Sequence, residues 1–232
     1  MLQNHARSAN RLLTVLPEVE YLRLEPYLIS VDVALGTVLY EASDKIKTIY
    51  FPNTSLISLV NTLENGATTE VSIIGSTGMI GLSAIIGSGI SKNRAVIQVS
   101  GNVTKISAEI LKHEFGRAGE LQNNLLCYTE TRLNEITQLA VCNAHHTIEQ
   151  RLALWLLKTS DLMQSANLPL TQEFLGHMLG VRRSGVTLAA QTIQRAGIIN
   201  YHWGKIKILD RKALENVSCE CYQLFHDNFY KQ

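Results

Sequence analysis

The spacing of apolar residues along the chain changes from helical to strand-like and back to helical. From Ser30 to Ser107, short runs rich in β-branched residues alternate with turn residues, which predicts several antiparallel strands. Before and after this region the apolar positions have helical spacing, and residues 119–143 form a long stretch with no proline. The pattern predicts an α+β protein with an N-terminal antiparallel β-barrel or sandwich, a long central helix and a helical C-terminal part.

The predicted central helix has two neighbouring apolar sides. Such a helix either packs onto the strands or forms a two-stranded seam between two chains, and its length favours the seam. One side carries Leu125, Tyr128, Leu139 and Cys142, and Leu126, Leu133, Ile136 and Ala140 lie alongside. We predict that Leu125, Tyr128, Arg132 and Leu139 contact a second copy of the chain.

Two short helices joined by a glycine turn are predicted in the C-terminal part. Thr171 can cap the first helix, and Gly176 lacks a side chain where a second helix would cross closely. Gly180 suits the left-handed conformation that often ends a helix. Together they make a helix-turn-helix. The second helix runs from about Arg183 to Ala196 and is expected to bury Val186, Ala189, Ala190 and Ile193.

The sequence GVRRSGVTLAA places two arginines at the start of this second helix, the part that enters the major groove in a helix-turn-helix. Arg182 and Arg183 carry planar, charged donors that match guanine O6/N7 or phosphate oxygens. Ser184 and Thr187 are short enough to reach base edges or the backbone. The alternative is an ordinary solvated pair of arginines, but the glycines, the core pattern and the local charge favour DNA.

Positive charge is concentrated in the same region. The whole chain has a net charge of +1, whereas residues 171–212 carry +5, as binding to a polyphosphate requires. The stretch GIINYHWGKIKILD then predicts a two-stranded wing. Lys205 and Lys207 alternate with isoleucines, so one face of the second strand is basic and the other packs inward. Trp203, at the tip, either touches the DNA backbone or covers the core.

This order of elements resembles the Crp/Fnr family of bacterial transcription regulators over nearly the full chain. LTQEFLGHMLGVRRSGVTLAAQTIQRAGII is the most specific part of the match. The resemblance implies a sensory barrel of double-stranded β-helix (jelly-roll) type at 1–118, a dimerisation helix at 119–143 and a winged helix-turn-helix at 144–232. It also implies a homodimer on a palindromic operator in double-stranded DNA, with RNA polymerase as a further partner.

The resemblance places base reading at Arg183, Ser184 and Leu188. A polar residue is frequent at the last of these positions in the family, so Leu188 suggests a different operator or an apolar contact with a thymine methyl group. The predicted DNA-binding set is Thr171, Arg182, Arg183, Ser184, Thr187, Leu188, Lys205 and Lys207.

The sensory part departs from the family members that bind cyclic AMP. Those members use a glycine, a glutamate for the ribose hydroxyl, and an arginine followed by Ser or Thr for the phosphate. The stretch GMIGLSAIIGSGISKNRAVIQ keeps Gly81 and Arg94 but has Leu82 and Ala95 at the other two positions. We therefore expect no ordinary cyclic AMP binding and no cofactor, and Arg94 could equally pair with a surface carboxylate. An unknown small-molecule effector and a constitutively competent dimer both stay open.

The cysteines show no metal-ligand spacing, because Cys-Glu-Cys lacks the paired spacing of a zinc site. We expect buried thiols in a reducing compartment and no metal. The N-terminal cysteine cluster of the oxygen-sensing relatives is absent, and His145-His146 at the hinge are expected to be structural or solvated, with a haem ligand left open. The cysteines are Cys127, Cys142, Cys219 and Cys221.

The sequence contains no arrangement of residues that favours catalysis, and no signal or membrane span. We therefore predict a cytoplasmic, non-enzymatic protein with no membrane contact. The predicted function is sequence-specific DNA binding by a homodimeric transcription regulator with a degenerate cyclic-nucleotide-type sensory domain. The alternative is a ligand-binding or scaffold protein whose helix-turn-helix mediates protein contacts.

Overall fold

A computed structural model of the chain describes residues 8–168, 170 and 172–230. The chain folds as two compact units. The first comprises residues up to 61 together with 72–130, and the second comprises 62–71 together with the residues from 131 onward. Among the described residues, no helix has both the length and the apolar character needed to span a membrane.

The first unit is built on antiparallel strands, as predicted. The strands are β1 (Ile29–Val33), β2 (Val38–Tyr40), β3 (Thr48–Pro52), β4 (Leu56–Thr62), β5 (Thr68–Ile74), β6 (Arg94–Val99) and β7 (Gly101–Ser107). In the described residues they form two separate sheets, ordered β1-β7-β3 and β2-β6-β4-β5, rather than one closed cylinder. The turn of the β4–β5 hairpin, residues 62–71, belongs to the second unit.

Alternating side chains of these strands fill one core between the sheets. Ile49 and Phe51 on β3 are fully buried, two residues apart, as expected for side chains on one face of a strand. Ile57 on β4 and Ile97 on β6 come from the other sheet and join the same cluster. The two sheets therefore pack face to face, which is the sandwich arrangement of a jelly roll.

Helices flank the sheets, and a long helix follows them. The helices are α1 (Arg11–Thr14), α2 (Glu18–Leu24), α3 (Ser83–Ile86), α4 (Ala108–Phe115) and α5 (Glu120–His145), with a 3₁₀ turn at Glu25–Tyr27. The predicted central helix is thus confirmed as α5.

The start of α5 packs into the core of its own chain. Leu125 and Tyr128 are buried in the cluster between the sheets. The Tyr128 hydroxyl donates to the carbonyl oxygen of Met79 at 3.0 Å and accepts from the N–H of the same residue at 3.1 Å. These two residues therefore cannot supply the predicted contact with a second chain, because they already hold α5 to its own sheets.

The other apolar side of α5 faces solvent. Arg132 forms an ion pair with Glu135 on the same helix, and Leu139 is half-buried beside a cavity. Neither side chain is exposed as a side chain that contacts a second helix would be. The exposed apolar stripe, with spacings of seven, three and four residues, is Leu126, Leu133, Ile136 and Ala140.

The second unit contains the predicted helix-turn-helix and wing. Its elements are α6 (Ile148–Met163), β8 (Asn167–Leu168), α7 (Gln172–Leu179), α8 (Arg183–Arg195), β9 (Ile199–His202), β10 (Lys205–Ile208), α9 (Arg211–Val217) and α10 (Cys221–Tyr230). The three strands form a sheet in the order β8-β10-β9.

A capping box begins α6 immediately after the hinge. The Thr147 hydroxyl accepts a hydrogen bond from the N–H of Gln150, and the Gln150 side chain accepts one from the N–H of Thr147. Because the first amides of a helix have no intrahelical partner, this reciprocal pair fixes where α6 starts.

We expect Thr147→Ala to lower the free energy of unfolding of the second unit by about 1 kcal/mol, the usual cost of a lost N-cap. Urea unfolding followed by the fluorescence of Trp155, which is buried on the same helix, measures this change. Thr147→Ser keeps the hydroxyl and should unfold like the wild type. An equal loss in both variants would show that the hydroxyl is not what stabilises this end of α6.

Candidate nucleic-acid interface

Helix α8 divides sharply into a buried side and an exposed side. Its first turn and the position one turn later, namely Arg182, Arg183, Ser184 and Leu188, are exposed. The apolar face expected from the sequence is confirmed, and it consists of Val186, Ala189, Ala190 and Ile193, all buried. Packing of that face leaves the beginning of α8 free to meet a ligand.

Two glycines set the crossing of α7 and α8, as the sequence predicted. A Cβ atom on Gly176 would lie 3.1 Å from the carbonyl oxygen of Val181, so a larger residue would push the following turn away. Gly180 has φ of +62°, a left-handed conformation that glycine adopts without steric cost. The short turn therefore depends on both residues lacking a side chain.

The arginines at the start of α8 do not serve the stability of the helix. Arg182 occupies the N-cap and makes no capping hydrogen bond, and the first turn contains no acidic residue. Two cations at the positive end of the helix dipole are unfavourable for an isolated helix. Within the described part of the chain, neither Arg182 nor Arg183 pairs with a carboxylate. A helix N-terminus that carries two exposed guanidinium groups is suited to binding an anion.

Two threonines of the predicted DNA-binding set, Thr187 and Thr171, are not seen as freely exposed side chains. Thr187 is half-buried, and its hydroxyl donates to the carbonyl oxygen of Arg183 at 2.9 Å, so its proton is engaged within the helix. Thr171 lies outside the described residues.

The wing has the alternation predicted for it. Strands β9 and β10 pair in antiparallel register, with His202 opposite Lys205. Lys205 and Lys207 are exposed, and the isoleucines that alternate with them are buried. Trp203 at the tip is 88% exposed and has φ of +48°, so it does not cover the core. The wing therefore presents two lysines and a tryptophan to solvent.

One arginine of the basic segment is engaged inside the protein. Arg211 donates to Asp161 at 2.7 Å and to Glu215 at 3.0 Å. Partial burial is the largest single influence and lowers the pKa of Arg211, but the hydrogen bond to Asp161 and the nearby negative charges together raise it above its ordinary value. Tyr222 also donates to the buried carboxylate of Asp161. This network joins α6, α9 and α10, so the charge of Arg211 is balanced by carboxylates of its own chain even though its side chain is exposed.

In the first unit, the residues at the positions that match a cyclic-nucleotide site pack in the core or form an ion pair. Gly81 has φ of +98°, and a Cβ atom there would lie 2.7 Å from Ile49 Cδ1, so the local fold itself requires glycine. Leu82 packs against the core and Ala95 is fully buried. Arg94 is half-exposed and lies 3.3 Å from the carboxylate of Glu41.

The second unit therefore defines a winged helix-turn-helix DNA-binding domain. Residues 150–217 match the family model of the Crp-like helix-turn-helix domain. A comparison with curated protein sequences finds no match.

Solved structures extend the likeness to the whole chain. A transcriptional regulator of the Crp/Fnr family from Eubacterium rectale is 21% identical, with a TM-score of 0.72 over 89% of this chain and 97% of that one. FixK2 from Bradyrhizobium japonicum is 17% identical, with a TM-score of 0.71 over 83% and 98%. The c-di-GMP-responsive regulator CLP from Xanthomonas campestris is 15% identical, with a TM-score of 0.69 over 83% and 99%.

At these identities the structures establish the fold, and the family model establishes the DNA-binding domain. The resemblance inferred from the sequence is confirmed. Residues 150–217 are a Crp-like helix-turn-helix domain, and the chain shares the fold of solved regulators of the Crp/Fnr family.

Proposed function

We propose that two copies of the chain bind a palindromic operator in double-stranded DNA and regulate transcription from it. The observation that carries this proposal is the exposed arginine pair at the N-terminus of α8, which forms no ion pair with any carboxylate among the described residues. Arg183 reads a guanine through two parallel hydrogen bonds, and Arg182 neutralises a phosphate. Ser184 and Leu188 lie on the same exposed side and complete the reading surface, with Leu188 against a thymine methyl group.

The proposed dimer forms through the exposed stripe of α5, which comprises Leu126, Leu133, Ile136 and Ala140. This assignment replaces the seam predicted from the sequence, because Leu125 and Tyr128 are buried within their own chain. The stripe has spacings of seven, three and four residues, which fit a coiled-coil seam that a second α5 would cover. A two-fold dimer places its two recognition helices about 34–36 Å apart, one turn of DNA.

The sensory role of the first unit is part of the same proposal. Because Leu82 and Ala95 offer no polar side-chain atom and Arg94 already has a carboxylate partner, we propose that cyclic AMP is not its effector. Either a different small molecule binds and sets the placement of the DNA-binding domains, or the dimer holds the DNA-binding placement without any effector. The proposal assigns no chemical reaction to the chain. It places the protein in the cytoplasm with the DNA, where RNA polymerase is a further partner.

Selection of bound DNA from random genomic fragments tests the function directly. We expect purified protein to enrich an inverted repeat whose half-sites are one helical turn apart, with and without added small-molecule extract. Affinity for the enriched site should fall linearly on a logarithmic salt scale. No enriched sequence, together with binding that is insensitive to salt, would favour the scaffold alternative.

The wing lysines give a separate, quantitative prediction. Lys205→Ala and Lys207→Ala should each reduce the slope of log affinity against log salt by about 1, because each removes one phosphate contact. The loss of affinity should be similar for all operator sequences. Lys112→Ala removes an exposed lysine of α4 and serves as the control, which should leave the slope unchanged. An unchanged slope in the wing variants would remove the wing from the interface.

A further inference from the structure

Four potential metal ligands meet in the second unit. The Sγ atoms of Cys142, Cys219 and Cys221 and a ring nitrogen of His146 all lie within 4.8 Å of one another. Cys142 lies in the last turn of α5, and His146 directly follows that helix with its N–H donating to the carbonyl oxygen of Cys142 at 3.1 Å. Cys219 and Cys221 lie just before and at the start of α10. The fold therefore joins two ligand pairs that are far apart in the sequence, since Cys142 and Cys219 are 77 positions apart.

Two of the distances between these atoms match those around a single tetrahedral ion, and the remaining ones are at most 4.8 Å. Cys142 Sγ lies 3.6 Å from Cys219 Sγ, and Cys221 Sγ lies 3.6 Å from His146 Nδ1. Zinc bonds of about 2.3 Å to sulfur and 2.0–2.1 Å to nitrogen place tetrahedral ligand atoms about 3.5–3.8 Å apart. All the cysteines are free. The ligand atoms are too close together for an iron–sulfur cluster, whose metal and sulfide atoms separate the cysteines.

Neighbouring polar groups favour thiolate and imidazole ligands over idle thiols. The Gln138 side-chain amide donates to Cys221 Sγ at 3.0 Å, an interaction that supports negative charge on the sulfur. On the other side of the cluster, the carboxylate of Glu220 lies 3.3 Å from Nε2 of His146. A carboxylate on one ring nitrogen holds the proton there and turns the lone pair of Nδ1 toward the cluster, as around metal-bound histidines.

The three cysteines are also as buried as the ligands of a structural metal site that excludes solvent. Cys142 is 1% exposed, and Cys219 and Cys221 are each 3% exposed. A cavity of about 350 Å³, lined in part by Gln138, Cys142 and Cys221, lies beside the cluster and gives an ion a way in.

We propose that Cys142, His146, Cys219 and Cys221 bind one structural zinc ion. Three thiolates and one imidazole complete a tetrahedral shell and leave no position for a substrate. The cysteines release their thiol protons to solvent when they bind. The ligands lie on both sides of the matched region 150–217, so the ion ties the end of α5 to the start of α10 and fixes the hinge. The site does not depend on DNA binding.

Metal analysis of the full-length, untagged protein tests this proposal. The wild type, isolated under reducing conditions, should carry one zinc ion per chain by inductively coupled plasma mass spectrometry. Cobalt(II) in its place should give the visible absorption of tetrahedral thiolate coordination. Cys219→Ser and His146→Gln should lose the bound zinc, whereas Cys127→Ser, which changes an exposed cysteine of the first unit, should keep it.

Two measurements keep the test decisive if a serine variant fails to fold. His146→Cys retains four ligands and should still bind one zinc ion, with a cobalt spectrum shifted by the added thiolate. Removing zinc from the wild type with a chelator should lower its melting temperature, and zinc alone should restore it. The proposal is overturned if reduced wild type supplied with zinc holds no more metal than Cys219→Ser. A Cys142–Cys219 disulfide in the isolated protein would overturn it equally.

Discussion

Leu133→Glu is expected to convert the dimer into a monomer and to weaken operator binding by about 10²- to 10⁴-fold. Leu133 lies in the middle of the exposed stripe of α5, so two copies of the charge would meet at the seam. A monomer engages one half-site at a time and loses the advantage of bivalent binding, which accounts for the size of the loss. Light scattering measures the mass, and titration of a labelled operator measures the affinity.

A matched control separates the seam from general surface effects. Leu35→Glu changes an equally exposed leucine in a turn of the first unit and should leave both mass and affinity unchanged. Persistence of dimers in Leu133→Glu would show that α5 is not the seam. Leu125→Glu is not a useful test, because this side chain is in the core and its replacement would unfold the first unit.

Arg183→Ala is expected to weaken binding to the cognate operator by about 1–3 kcal/mol, the value of one bidentate base contact. Binding to random DNA should change much less, so the variant loses discrimination more than general affinity. Affinities for the cognate site and for sites altered one base pair at a time, measured at a fixed salt concentration, separate the two effects.

Two further variants define what Arg183 does. Arg183→Lys keeps the charge but not the planar pair of donors, and it should restore general affinity without restoring discrimination. Arg195→Ala removes the arginine at the other end of α8 and should have a small effect. Full rescue by lysine would show that Arg183 contacts a phosphate instead of a base, and an unchanged Arg183→Ala would place it outside the interface.

The recognition unit could be predicted because its determinants are local. Gly176 and Gly180 mark a close crossing and a left-handed turn, and both requirements are visible within ten residues of sequence. The buried face of α8 follows from helical spacing alone. The alternation of Lys205 and Lys207 with isoleucines likewise fixes the two faces of the wing. In each case the repeat of the helix or strand determines which sequence positions share a face, so the sequence pattern reports the geometry directly.

The central helix shows where local pattern stops being enough. Its period correctly predicted a helix, but α5 has two adjacent apolar sides, and spacing does not say which side meets the chain's own sheets. Tertiary packing decided this by placing Leu125 and Tyr128 in the core, which left Leu126 and its neighbours exposed.

The sequence by itself determined the class of elements, the helix-turn-helix and its two arginines, and the missing polar groups at Leu82 and Ala95. Only the tertiary structure assigned the two sides of α5, paired Arg211 with carboxylates of its own chain and gathered three cysteines and a histidine. The physical reason is the sequence separation of the interacting residues. Helix and strand periods arise between residues a few positions apart, whereas metal ligands, ion pairs and core contacts join residues that the fold alone makes neighbours.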